Sequence, residues 1–256
     1  MNEARGVMRA SVELGKLTWI EAESVLTEEA VVMIALGAAA KEHGPHLRLD
    51  NDWQMAEYLK RRVMATARVV VAPTIAYHHY PAFVEYSGST NLRFDTARDL
   101  IVDIVTSLSR FGPRRFYVLN TGVSTLAPLA AAAAALREAG VLLRYTDLRE
   151  INRETVAKVR QQEGGTHADE IETSMMLYID PTLVDMSKAV RDFNPENERG
   201  GLTRTPGNPG VYSASGVYGD ATLASAEKGR IVVEALVEGI VREVEHLRAA
   251  DPPTAR

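Results

Sequence analysis

The 256-residue chain contains no cysteine. Disulfides, thiolate metal sites and cysteine nucleophiles are therefore excluded, and any metal would have to be held by His, Asp or Glu. Aromatic residues are few, at 6% of the chain with two tryptophans, and no basic run is interleaved with them. With a formal net charge of -5, the sequence carries no sign of a nucleic-acid surface. No stretch approaches the ~20 apolar residues of a membrane helix. The alanine run at 130–135 is cut off by Arg137 and Glu138. Arg5, Arg9, Glu13 and Lys16 interrupt any leader-like apolar segment, so a cytoplasmic location is expected. There is no G-x-G-x-x-G turn after a strand, no P-loop lysine and no G-x-S-x-G elbow, which sets aside nucleotide-binding and serine-hydrolase readings.

What is present reads as one α/β domain spanning 1–256, because helical and buried-strand signals alternate. Continuous apolar runs at 30–36, 68–72, 116–119 and 141–145 predict strands covered on both faces, the second ended by Pro73. Helical spacing predicts helices over 17–26 with Thr18 as N-cap, 53–65, 96–111, 126–139 ending at Gly140, 170–178 and 223–247. Segment 200–219, rich in Gly, Pro and Ser, is either a linker or an active-site loop. Asp220 is expected to cap the last helix, with Lys228 close by.

Histidine is scarce too. Five of the six lie in three short segments: His43 and His46, His78 and His79, and His167. Each segment follows a predicted strand or sits in a loop, where α/β sheets bind ligands. Segment 37–52, GAAAKEHGPHLRLDND, places Glu42, His43, His46, Asp50 and Asp52 within eleven residues. Imidazole and carboxylate are the donors that zinc, manganese or iron take. Gly44–Pro45 forces a turn between the histidines, and His46 reads as a supporting residue more than a ligand. The competing structural reading is a polar loop that caps the next helix. The aromatic-rich stretch around His79 and Tyr80 reads as a pocket wall or as a subunit interface.

EHGPHLRLDND resembles the creatininase-family motif E-x-H-G-P-H-L-P-L-x-x-D. Three further segments in order support the resemblance: YSGSTNL (86–92), THADEIETS (166–174) and GVYGDATLASAEKG (216–229). The resemblance implies a three-layer α/β/α sandwich with a mainly parallel sheet. It also implies an amidohydrolase that opens a small cyclic or linear amide with a metal-activated water, carrying one or two divalent ions (Zn, Mn or Fe). Homo-oligomers, in the family often hexamers, are implied as well, with a small-molecule amide as partner and neither nucleic acid nor membrane. Carried over residue by residue, His43 and Asp52 are expected as metal ligands; the family's glutamate position falls on Lys41, so either a local bulge brings Glu42 into the ligand place or the Lys41 ammonium sits where one metal would otherwise be. His167 and Glu172 are catalytic. Ser89, Asn120 and Ser124, with His79 and Tyr80, are expected on the substrate side. One departure stands out. Where the family has N-G-H-x-x-N or N-G-H-x-E-N, this chain has NTGVST (120–125), with Gly122 and Ser124 in place of ligands. The expectations are then a single metal, a rearranged pair using Glu42 or Glu172, or no metal. A peptide-trimming enzyme and a non-catalytic binding protein are the alternatives.

Overall fold

The computed structural model describes residues 10–194 and 201–255. Five parallel strands form the central sheet: β1 (Val12–Glu13), β2 (Val31–Leu36), β3 (Val70–Ile75), β4 (Arg115–Asn120) and β5 (Leu142–Tyr145), in the order β1-β3-β2-β4-β5. The connections carry helices α1 (Trp19–Val25), α2 (Asn51–Thr66), α3 (Phe94–Ser109) and α4 (Leu126–Glu138). After β5 come α5 (Leu148–Ile151), α6 (Arg153–Val159), α7 (Glu170–Ile179) and the long α8 (Ala226–Ala249).

Alternation along the central strand sorts the core into two layers, since successive side chains leave a strand on opposite faces. Val31 and Met33 of β2 join α2, α7 and α8 on one face. Val32, Ile34 and Leu36 join residues of α3 and α4 on the other. This is the three-layer α/β/α sandwich that the resemblance implies, with the strands covered on both faces as the apolar runs predict.

Several local expectations change. Pro73 does not end its strand: β3 runs to Ile75, with a register shift against β2 between Ile34 and Leu36. The pairing with β1 stops at Val71, so the missing N–H of Pro73 costs no ladder bond on that side. Helix α1 does start from a Thr18 capping box with Glu21. The last helix, however, is capped by Ser225, and Asp220 instead caps the short turn Ala221–Leu223 before it. Two short pairings, Arg191–Asp192 with Gly219–Asp220 and Leu202–Thr203 with Val211–Tyr212, carried no periodic signal. Position 200 and the arginines at 5 and 9, invoked above, lie outside the described residues.

His78 is fully buried, donates from Nε2 to Ala97 O at 3.0 Å, and has no partner for Nδ1. Burial pushes its pKa down to about 4 from 6.5, and His79 adds to the shift. The unfolded chain therefore binds the proton first. Stability is complete above about pH 6.5 and is lost as pH falls toward 4, by about 3 kcal/mol from this residue at pH 4. His46, also pushed down to about 4 by burial, acts in the same direction. Thermal melts from pH 7 to 4 should show this loss, and His78→Gln, which keeps the donor, should flatten it. An unchanged slope in the variant would assign the acid sensitivity elsewhere.

Candidate active site

Strands β2 and β4 pair from Val31↔Arg115 to Leu36↔Asn120, so the loops that leave their carboxyl ends emerge side by side. The loop after β2 returns at once to start α2, and Gly37 makes this possible. A Cβ there would lie 2.3 Å from the Asp52 carbonyl oxygen. Thr121 of the neighbouring loop donates to the same oxygen at 3.1 Å, tying both loops together beneath Asp52. Asp52, in the first turn of α2, is thereby set beside His43.

The hydrogen-bond partners fix the tautomers of both central histidines. His43 Nδ1 faces only the Lys41 carbonyl, at 2.9 Å, and must donate. Its Nε2 is then turned toward Asp52 Oδ1 at 2.9 Å and Glu172 Oε1 at 3.4 Å. His167 Nε2 faces Glu42 Oε1 at 2.8 Å and the Glu42 carbonyl at 3.1 Å, so it donates as well. Its Nδ1 is turned toward Glu172 Oε2 at 3.8 Å. Two imidazole lone pairs thus point at carboxylate oxygens. That arrangement is repulsive until a cation, proton or metal, lies between them. His43, His167 and Glu172 each offer a ligand atom, all within 4.8 Å of one another. The donor set fits one divalent ion.

Glu172 is steered by its neighbours. Asn51 Nδ2 donates to Oε1 at 3.1 Å and the Ala168 N–H to Oε2 at 2.7 Å. Ala168 has φ +48, the left-handed region that a side chain disfavours by about 1–2 kcal/mol. Such strain is held where the surroundings over-determine it, here between His167 and the Asp169-capped start of α7. Ala168→Gly should therefore fold within about 1 kcal/mol of the parent, whereas a β-branched Ala168→Val should cost about 2 kcal/mol or more and impair activity by turning Glu172. Chemical denaturation of both variants checks this.

Electrostatically, burial alone would raise the Asp52 carboxyl, but the Lys41 ammonium and His43 hold it well below the ordinary carboxylate range. Glu42 is also held down against burial, by the His167 hydrogen bond and the Gly44 N–H at 2.8 Å. Burial raises Asp169, the α7 cap.

The group opens into a cavity of about 640 Å³, lined by Lys41, His167, Glu172 and Ser124, with Phe83, Met175 and Leu202 among the apolar walls. Phe83 packs against His167 with ring centroids 4.4 Å apart and planes tilted by 40°. The Gly-rich segment is part of this wall, since Gly201, Val211 and Tyr218 line it.

The structure brings Glu42, His43, Asp52, His167 and Glu172 together, with Ser124 on the cavity wall. Glu42 spends its carboxylate on the Gly44 N–H and on His167 Nε2–H. The other substrate-side candidates sit elsewhere. Ser89 Oγ accepts from the Glu42 N–H at 2.9 Å. Asn120 is buried and spends its amide on the Gly122 and Thr146 carbonyls. His79 Nδ1 bonds Leu92 O, and Tyr80 is buried against Phe83 behind Lys41. These four shape the loops and are not among the residues lining the cavity. His46, expected to support the site, bonds Thr173 Oγ1 at 2.8 Å. Asn51 escaped the sequence reading, because its residue type marks no site without its neighbours, whereas Phe83 belongs to the aromatic-rich stretch read as a pocket wall or a subunit interface and does line the cavity.

A parallel α/β/α sandwich with a histidine–carboxylate cluster at its strand ends defines a candidate metal centre. The comparisons with known proteins name the class. The family model "Creatininase: Creatinine amidohydrolase" matches residues 15–244. The creatinine amidohydrolase of Pseudomonas putida is 29% identical, covering 96% of this chain and 100% of that protein. The mycofactocin precursor peptide peptidase of Mycobacterium tuberculosis (strain CDC 1551 / Oshkosh) is 28% identical over 91% and 90% of the two chains. A solved structure described as creatininase with Mn superposes with a TM-score of 0.76 at 25% identity, covering 92% of this chain and 98% of that one. The chain belongs to the creatininase family, and it is an amidohydrolase, acting on carbon–nitrogen bonds other than peptide bonds.

Proposed function

We propose that this protein hydrolyses the C–N bond of a small cyclic or linear amide with the help of a divalent cation held by His43, Asp52 and Glu172. The observation that carries the reading is His43 Nε2, whose lone pair faces Asp52 Oδ1 at 2.9 Å and Glu172 Oε1 at 3.4 Å. Manganese appears in the description of a solved relative, and the His/carboxylate set suits manganese, zinc or iron alike. Bound there, such an ion supplies Lewis acidity, polarising a carbonyl and acidifying water.

The chain's own residues supply the rest. His167, with Nε2–H committed to Glu42, keeps Nδ1 as its one proton-carrying atom. It takes the proton released when water adds to the amide carbon and hands it to the departing nitrogen as the C–N bond breaks. Phe83 packs against that ring at a 40° tilt and covers part of it from water. Lys41 presents an ammonium to the same cavity. The walls mix apolar side chains with Arg149, Arg153 and Arg160, and suit a small cyclic or linear amide that carries polar groups.

Metal content and activity test this together. His43→Ala should lose both the ion and hydrolysis across an amide panel. Full activity in a metal-free His43→Ala protein would refute the reading.

A further inference from the structure

Asp52 has both of its oxygens engaged. Oδ1 lies 2.9 Å from His43 Nε2, and Oδ2 lies 2.7 Å from Lys41 Nζ. Oδ2 has no hydrogen-bond donor of good geometry, so the Lys41 ammonium is its neighbour by charge. This ammonium is fixed. Lys41 is 5% exposed, its backbone N–H donates to Leu49 O at 3.0 Å, and its carbonyl accepts from His43 Nδ1. Nζ stands 4.7 Å from the Phe83 ring centre and 5.9 Å from that of Tyr80, and the two aromatic faces favour a cation between them.

On the other side of Asp52, His43, His167 and Glu172 form the one set of three or more potential ligands that converge among the described residues. The adjoining loop after β4 contributes Gly122, whose surroundings are Thr125 and Asn120, and Ser124. Neither Gly122 nor Ser124 is an ordinary metal ligand. Charge points the same way. The buried carboxylates Glu42 and Asp52 and the half-buried Glu172 carry three negative charges, which Lys41 and a single divalent ion balance. A second divalent ion would leave two uncompensated positive charges in a desolvated site, which is strongly unfavourable.

We propose that Lys41 Nζ acts as a fixed cation on Asp52, so that the centre accepts one divalent ion on the His43–Glu172 side and no carboxylate-bridged pair. The proposal rests on the metal-dependent reading above. It makes Lys41 a positioning residue that orients Asp52 from the side opposite His43. It also puts a permanent positive charge on the cavity wall, facing substrate.

The test is metal stoichiometry, read without turnover. The protein is saturated with Mn(II), freed of excess, and examined by elemental analysis and electron paramagnetic resonance. One manganese per chain with an isolated-ion hyperfine pattern is expected. Lys41→Glu, which replaces the cation by a ligand, should move the content toward two with an exchange-coupled signal, and Lys41→Gln provides a milder version should the first fail to fold. Two coupled ions in the unaltered protein would overturn the proposal and leave the metal-dependent reading intact. No bound ion would overturn both. A Lys41→Glu protein that stays at one ion would overturn the claim that the ammonium is what excludes the second.

Discussion

Replacing Asp52 by alanine is expected to cost about 3–5 kcal/mol of stability and at least ~10³-fold of amide hydrolysis. Two separate consequences meet at this residue. Lys41 and His43 both lean on the Asp52 carboxylate from buried positions, at 2.7 and 2.9 Å. Removing it strands an ammonium in a low-dielectric site, and breaking a buried pair on one side is far more costly than replacing both partners. It also removes one face of the cation seat. Asp52→Asn keeps the shape and should recover part of the stability but little of the activity. Urea denaturation and steady-state rates on the same preparations separate the two effects. An Asp52→Ala protein as stable as the parent would mean that the Lys41–Asp52 contact contributes nothing, and the picture of a charge-balanced centre would fail. Acid is a poor substitute for the mutation. With its carboxyl held below the ordinary range, Asp52 keeps its stabilising charge until the pH falls well past the ordinary carboxylate value, after His78 and His46 have begun to take up protons.

The second large effect is expected at His167. His167→Ala should lower hydrolysis by ~10²–10⁴-fold, the usual contribution of a positioned proton carrier, while bound metal is retained on His43, Asp52 and Glu172. Stability should change less than in Asp52→Ala, because the lost contacts are a hydrogen bond to Glu42 and the packing against Phe83. The informative comparison is metal content beside activity. Loss of both together would make His167 a ligand within its cluster with His43 and Glu172 and would remove the proton-transfer role argued here. Glu42→Gln offers a gentler check. It still accepts from His167 Nε2–H but removes the charge, so the pH–rate profile should shift without loss of the ion.

Much of this was legible in the sequence, for identifiable reasons. Strands β2 and β4 announce themselves as continuous apolar runs because both of their faces are covered, and α3 shows one clean apolar stripe. The loop 37–52 stands out because scarce histidines and carboxylates crowd into it directly after a strand. What could not be read was convergence. Glu172 and Asn51 lie 121 residues apart in sequence, yet one orients the other. Glu42 looked like a ligand from its place beside His43, but the turn at Gly44 points its carboxylate to His167 and the Gly44 N–H. Motif position alone puts Ser89 and Asn120 on the substrate side, and the aromatic-rich stretch around it puts His79 there. In the fold their polar atoms are taken up by backbone groups of the loops they brace. Segments α5 and α6 were missed because each is short, with little apolar periodicity of its own.

The central claim is metal-dependent hydrolysis of a small amide, and one measurement tests it most directly. The protein is stripped with a chelator, and hydrolysis of a panel of cyclic and linear amides, creatinine among them, is followed before and after manganese or zinc is restored. The account predicts at least one substrate turned over by the loaded protein, silent in the stripped one and recovered on reloading. Turnover indifferent to chelation, or a protein that takes up no ion and hydrolyses none of the panel, would contradict it.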